Sequence, residues 1–121
     1  MRVREAALRL KRFEAEEKSQ RVRDLEQMIG EFEQMAHDLA RQIDAEEERT
    51  GVRDKGHFAY STFARSASQR RDNLLASVED LRERLENAVV ERDEAVAELD
   101  QVDTIAQRES DRSHSAGATA R

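Results

Sequence analysis

Residues 22–43 read VRDLEQMIGEFEQMAHDLARQI, and the apolar residues in this stretch recur at alternating intervals of three and four. The residues in this row are Val22, Leu25, Ile29, Phe32, Ala36, Leu39 and Ile43. Such alternation is the heptad spacing of a helix that packs along one narrow stripe against another helix. Gly30 is the only helix-breaking residue in the stretch, and a helix tolerates it at a cost of about 1 kcal/mol relative to Ala. The stretch therefore predicts a coiled-coil helix.

A second row with the same spacing runs through residues 74–106. Its members are Leu74, Val78, Leu81, Leu85, Ala88, Arg92, Ala95, Leu99, Val102 and Ala106, all apolar except Arg92. Between the two rows, Gly51 and Gly56 lie among polar residues and predict a loop. Two long helices joined by a short loop predict an all-α fold, a long two-helix antiparallel coiled-coil hairpin with a disordered C-terminal tail.

The hairpin is expected to occupy residues 1–109, with one helix over about 2–49, a loop over about 50–60 and a second helix over about 61–109. Ser61 or Thr62 is suited to cap the second helix. Residues 110–121 are small and polar, so we expect them to form the disordered tail. Folding the chain near residue 55 pairs residues whose numbers sum to about 110, which places Leu25 beside Leu85.

A third, shorter row lies near the start of the chain and consists of Val3, Ala6, Leu10 and Phe13. Its phase differs from that of the row that begins at Val22. If both rows faced the second helix, the coiled coil would have to be re-wound over residues 14–21. We therefore expect a local change of coiled-coil phase in this polar segment.

The composition restricts the class of protein. Charged residues make up 40% of the 121 residues and aromatic residues 4%, and the chain has no Pro and no Cys. This argues against a compact single-core enzyme, a disulfide scaffold and a thiolate zinc site. The net charge of −6 argues against general nucleic-acid binding, and the longest apolar runs are too short to span a bilayer. We expect a cytoplasmic protein.

Residues with catalytic or ligating chemistry are scattered rather than clustered. His37, His57 and His114 have no neighbours at metal-ligand spacing, and no Ser is placed beside a base in a nucleophile motif. The loop glycines lack the Gly-Lys-Ser/Thr ending of a phosphate-binding loop. We expect a non-enzyme with no catalytic, cofactor-binding or metal-binding residues.

Two features indicate partner-binding residues. Residues 1–25 hold eight basic and five acidic residues, and Arg9, Lys11 and Arg12 are the candidates in this basic segment. These cations could instead pair with the acidic residues of 79–103 in the second helix. Phe58 and Tyr60 are the candidates in the loop, although they could instead close over the end of the helix pair as an apolar cap.

Several fragments of the chain match one protein family. The fragments LRLKRF (8–13) and EEK (16–18) resemble the opening of the flagellar type III export proteins of the FliJ family. The fragments MAHDL (35–39), HFAY (57–60) and QRRDNL (69–74) are similar to the alphaproteobacterial branch of that family. The resemblance covers nearly the whole chain apart from the tail.

This resemblance implies a role in bacterial flagellum biogenesis and motility. Members of the family are long helical hairpins, similar to the central stalk of rotary ATPases, that enter the ring of the export ATPase and link it to the membrane export gate. They also act with export chaperones as escort components of protein transport. The resemblance implies a cofactor-free protein at the cytoplasmic face of the flagellar basal body, peripheral to the membrane only through its partners.

Two other functions fit the same pattern of helices. A general helical-hairpin holding chaperone would use exposed apolar residues to bind unfolded clients, and it would suppress their aggregation. A homodimeric structural coiled-coil rod would pair two hairpins into four helices, and sedimentation equilibrium would detect the dimer.

Overall fold

The computed structural model describes residues 2–119 of the chain and the side chains of residues 3–115. Two helices pack against each other, α1 over Arg2–Thr50 and α2 over Thr62–Thr119, and the described residues contain no strand. By its internal contacts the chain divides into two compact units. The terminal unit comprises Met1–Arg23 and Glu86–Arg121, and the loop unit comprises Asp24–Leu85. Neither described helix is long and apolar enough to cross a membrane.

The helix ends lie close to the expected positions except at the C-terminus. The structure continues α2 to Thr119, whereas a disordered tail was expected over residues 110–121. Residues 110–119 contain no Pro and a single Gly, so no residue forces the backbone out of the helix. The small polar residues there lower helix propensity without preventing a helix. Residues 120 and 121 of the expected tail lie outside the described residues.

The loop unit contains the larger apolar side chains. Leu25, Ile29, Ala36, Leu39 and Ile43 are buried on α1, Val78 and Leu81 are buried on α2, and Phe32, Leu74 and Leu85 are half-buried. Next to the loop, Leu39 and Ile43 form a cluster with Tyr60, Ala64 and Ala67, against which Val52 and Leu74 pack. The heptad row of α2 thus begins at Ala64, ten residues before Leu74.

The terminal unit has a narrower and more polar contact between the helices. Its buried residues are Ala15, Val22, Ala88 and Ala95, and its half-buried residues include Leu8, Lys11, Lys18, Arg92 and Leu99. The Lys11 ammonium donates to Glu98 Oε2 at 2.9 Å, and the Lys18 ammonium donates to Glu91 Oε2 at 3.1 Å. Arg4 forms an ion pair with Glu109. Cationic side chains therefore occupy positions that apolar residues fill in the loop unit.

The expected change of coiled-coil phase over residues 14–21 is wrong. Val3, Leu10 and Phe13 are 81%, 54% and 60% exposed, so this row does not face α2. The residues that face α2 are instead Leu8, Lys11, Ala15, Lys18 and Val22, which continue the heptad spacing without interruption. Lysine fits this row because its aliphatic stem covers apolar surface while its ammonium reaches a carboxylate at the edge.

Candidate partner-binding surfaces

The three basic candidates of the terminal unit differ in their contacts. The Lys11 ammonium donates to Glu98 at 2.9 Å and to Glu14 at 3.4 Å. The hydrogen bond to Glu98 is the main reason that the pKa of Lys11 is raised above its usual value, and the charge of Glu14 adds to it. Lys11 thus joins α1 to α2, and its charge is already balanced within the terminal unit.

Arg9 and Arg12 lie on the outside of α1. Both side chains are exposed, and neither forms a hydrogen bond or an ion pair with another residue of the described chain. The two arginines are three residues apart on the helix and therefore neighbours on its surface. Their charge is available to an anionic partner.

The row Val3, Ala6, Leu10 and Phe13, here called the outer stripe, lies beside Arg9. All four side chains are exposed. Arg9 follows Ala6 by three residues and precedes Phe13 by four, so it flanks the stripe on the helix surface. Exposed apolar residues are common singly, but a row at heptad spacing is typical of a contact surface.

The loop between the helices is ordered by its own hydrogen bonds. The N–H of Gly51 donates to the Glu47 carbonyl at 2.9 Å, and Gly51 has a φ of 72°, which is the left-handed conformation that commonly ends a helix. The Asp54 side chain accepts from the Gly56 N–H at 2.9 Å, and the Asp54 carbonyl accepts from the His57 N–H at 3.1 Å. These contacts hold residues 51–60 in one turn-rich conformation.

Ser61, one of the two residues expected to cap α2, does so. Its Oγ accepts from the Ala64 N–H at 3.2 Å and donates to Glu46 Oε1 at 3.0 Å. Hydrogen bonds from Arg49 and then from Ser61 lower the pKa of Glu46. The start of α2 is thus joined directly to the last turns of α1.

Tyr60 is a residue of the core rather than of the surface. It is 6% exposed and belongs to the cluster with Leu39 and Ile43. Its hydroxyl donates to Glu47 Oε2 at 2.9 Å, and the Arg65 guanidinium lies 5.4 Å from the centre of its ring. Burial, followed by the hydrogen bond to Glu47, raises the pKa of Tyr60. In this conformation the side chain is not accessible to a partner.

Phe58 has the opposite environment. It is 96% exposed, and its ring stacks on that of His57 with centroids 4.6 Å apart. The His57 Nδ1 accepts a hydrogen bond from the Ala59 N–H at 3.0 Å, which fixes the ring against which Phe58 stacks. Of the two loop candidates, Phe58 is the one that the structure presents to solvent.

Ser68 was missed by sequence reasoning and joins the loop to α2. It is 6% exposed, and its Oγ accepts from the Lys55 ammonium and from the Arg71 guanidinium, each at 3.2 Å. Arg65 also donates to the Lys55 carbonyl at 2.9 Å. The position of Ser68, four residues after Ala64, could have indicated that it lies on the buried side of α2. Small residues such as Ala and Ser give a weak heptad pattern, so this indication is easily overlooked.

Each of the two units presents one candidate binding surface. Within the described residues, no group of three or more His, Cys, Asp or Glu side chains could hold a metal ion. The terminal unit presents the outer stripe with Arg9 at its side and Arg12 next to Arg9, and the loop unit presents Phe58. Comparison with protein-family models, with curated proteins and with solved structures finds no match to this chain.

Proposed function

We propose that this chain is a non-enzymatic component of the flagellar type III protein export apparatus. It acts as a stalk and escort protein that engages the export ATPase ring and links it to the export gate, at the cytoplasmic face of the flagellar basal body. The fragments LRLKRF, HFAY and QRRDNL, which resemble the FliJ family, support this proposal together with the two packed helices.

The observation that carries the proposal is the contrast between Lys11 and its neighbours Arg9 and Arg12. Lys11 is held by Glu98, whereas Arg9 and Arg12 have no anionic partner among the described residues. An exposed cation pair in a chain with a net charge of −6 supports attraction to an acidic surface of another protein. The acidic surface in this proposal is that of the ATPase ring.

The proposed architecture is an antiparallel coiled coil. The heptad positions of both helices are buried or half-buried in each unit, which supports coiled-coil packing. In the terminal unit, Lys11 pairs with Glu98 and Lys18 pairs with Glu91. A step of seven residues forward on α1 thus matches a step of seven residues back on α2, which supports opposite helix directions.

The experiment is a pull-down of the export ATPase by the full-length chain carrying Arg9→Glu and Arg12→Glu. Retained ATPase is expected to fall at least about tenfold, because both attractive charges become repulsive. The matched control carries Arg70→Glu and Arg108→Glu, which make the same charge change at two other exposed arginines. ATPase retention by the Arg9/Arg12 variant equal to that of the control would refute the proposal.

A further inference from the structure

The first turns of α1 place their larger apolar side chains on the outside. Val3, Leu10 and Phe13 of the outer stripe are 81%, 54% and 60% exposed. On the side that faces α2, the corresponding positions are filled by a half-buried lysine, Lys11, and by the small residue Ala15. Exposing a row of large apolar residues is unfavourable in water unless another surface covers it.

The spacing of the outer stripe indicates what shape of partner covers it. Its four positions are separated by three, four and three residues, which is a heptad row of about 15 Å at 1.5 Å per residue. Glu17, four residues after Phe13, ends the row. A heptad row accepts the side chains of another α-helix between its own, whereas a strand would require a period of two. The first turns of α1 therefore carry two coiled-coil faces, and only one of them is filled by α2.

The charges beside the outer stripe indicate the chemistry of the partner. Arg9 flanks the stripe and Arg12 adjoins Arg9, and neither has an ion pair with a described residue. Among the nearby carboxylates, that of Glu14 is occupied by Lys11 at 3.4 Å and that of Glu16 by Arg23 at 2.9 Å, while the exposed Glu5, four residues before Arg9, forms no ion pair with it. A partner helix gains charge-assisted hydrogen bonds when its own edge carries carboxylates opposite Arg9 and Arg12.

We propose that the outer stripe binds an acidic amphipathic helix of a partner protein. The apolar face of that helix, about two heptads long, covers Val3, Leu10 and Phe13, and its carboxylates face Arg9 and Arg12. This inference rests on the proposed function, because the same two arginines serve both. It adds that the partner binds through an α-helix.

Two other occupants fit the stripe less well. A second copy docked stripe to stripe would bring Arg9 and Arg12 of both copies together, and like charges at an interface are repulsive. On a lipid surface this face would insert only three large apolar side chains, those of Val3, Leu10 and Phe13, because Ala6 and the neighbouring exposed Ala7 are small and add little buried area. Both occupants are tested as alternatives below.

The test measures the binding of two helix-stabilised peptides of about two heptads to the isotopically labelled full-length chain by NMR. One peptide has Leu at the heptad core positions and Glu at the flanking positions, and its twin has Lys in place of Glu. The acidic peptide is expected to shift the amide signals of residues 3–13 and to bind at least about tenfold more tightly than its twin.

Variants then locate the binding site. Leu10→Ser with Phe13→Ser is expected to lower the affinity for the acidic peptide at least about tenfold. The double substitution removes the apolar anchors from an exposed surface without altering the contact with α2. The matched control, Met28→Ser with Met35→Ser, changes two exposed apolar residues one heptad apart in the loop unit and should leave the affinity unchanged. Arg9→Gln with Arg12→Gln should remove the preference for the acidic peptide.

Each of the following results would overturn the inference: no shift at residues 3–13, equal affinity for the two peptides, or equal loss in the Met28/Met35 control. So would shifts at these residues caused by phosphatidylglycerol vesicles but not by the peptide, or concentration-dependent self-association that Leu10→Ser with Phe13→Ser abolishes. The proposed function fails separately, when the Arg9→Glu/Arg12→Glu variant retains the ATPase while the acidic peptide still binds through Leu10 and Phe13.

Discussion

The hydroxyl of Tyr60 donates a hydrogen bond to Glu47 Oε2 at 2.9 Å, which joins a loop residue two positions before the start of α2 to the last turn of α1. The ring of Tyr60 packs at the same time into the cluster with Leu39 and Ile43. One side chain therefore contributes both apolar burial and a polar contact where the loop meets the two helices. The neighbouring Phe58 contributes neither, because it is 96% exposed.

The environment of Tyr60 predicts a dependence of stability on pH. Burial and the hydrogen bond to Glu47 raise the pKa of its phenol above the usual value of 10.0. The folded chain therefore holds the proton more tightly than the unfolded chain. The resulting stabilisation is complete below the unfolded pKa and is lost as the pH rises through the folded pKa. We expect the wild type to exceed Tyr60→Phe in free energy of unfolding near pH 8, and the difference to shrink by about pH 11. Urea titrations of both proteins measure it, and an identical difference at both pH values would contradict the assignment.

Gly30 and Gly51 should respond in opposite directions to substitution by Ala. An added Cβ at Gly30 would meet nothing within 4 Å, so Gly30→Ala should raise the free energy of unfolding by about 0.5–1 kcal/mol through helix propensity. Gly51 has a φ of 72°, so Gly51→Ala should lower it by about 1 kcal/mol through backbone strain. Urea unfolding curves of the two variants provide the comparison. A change of the same sign in both would contradict the helix end at Gly51.

Leu81 and Leu75 provide a matched pair on α2 of the loop unit. Leu81 is 6% exposed and Leu75 is 44% exposed. Leu81→Ala should lower the free energy of unfolding by about 2–5 kcal/mol because it removes buried methyl groups, and Leu75→Ala should lower it by less than about 1 kcal/mol. Leu81→Asp should abolish most helicity, since it buries an unpaired charge. A circular dichroism spectrum of Leu81→Asp equal to that of the wild type would contradict the burial of this position.

In the loop unit, the buried residues could be predicted from the sequence because large apolar residues occupy the heptad positions. Val78 and Leu81 are visible in the pattern, and both are buried. The pattern was misleading in the terminal unit, where Lys11 faces α2 and Leu10 faces solvent. Hydropathy alone assigns a lysine to the surface. Lys11 faces inward because Glu98 on the other helix lies within reach, and the choice of that partner depends on the register of the two helices.

For the candidate surfaces, the sequence predicts which types of residue are present but not which of them are exposed and unpaired. The basic segment is evident from its composition, but the division between the paired Lys11 and the unpaired Arg9 and Arg12 depends on contacts with α2. In the loop, the sequence shows Phe58 and Tyr60 only as two aromatic residues two positions apart. Their different roles follow from the hydrogen bonds of residues 54–60, which place one ring in the cluster and the other in solvent.

The proposed antiparallel pairing of the helices can be measured in the loop unit. Gln27 and Glu83 are exposed, and the chain contains no native Cys, so Gln27→Cys with Glu83→Cys allows two spin labels to be placed specifically. Packed helices lie about 8–10 Å apart, so antiparallel pairing predicts a label separation below about 25 Å, including the label side chains. A single continuous helix would instead separate the two positions by about 80 Å at 1.5 Å per residue.

Dilution with unlabelled protein makes this distance an intramolecular one, because a domain-swapped dimer would lose its short distance as the labelled fraction falls. A second labelled pair, Gln27→Cys with Asp72→Cys, supplies the control for direction. With antiparallel helices, position 72 lies about 16 Å farther along α2 from position 83, so its distance to position 27 must be longer. If the pair at 27 and 72 proved closer than the pair at 27 and 83, the helices would not run in the proposed register, and the stalk proposal would lose its structural basis.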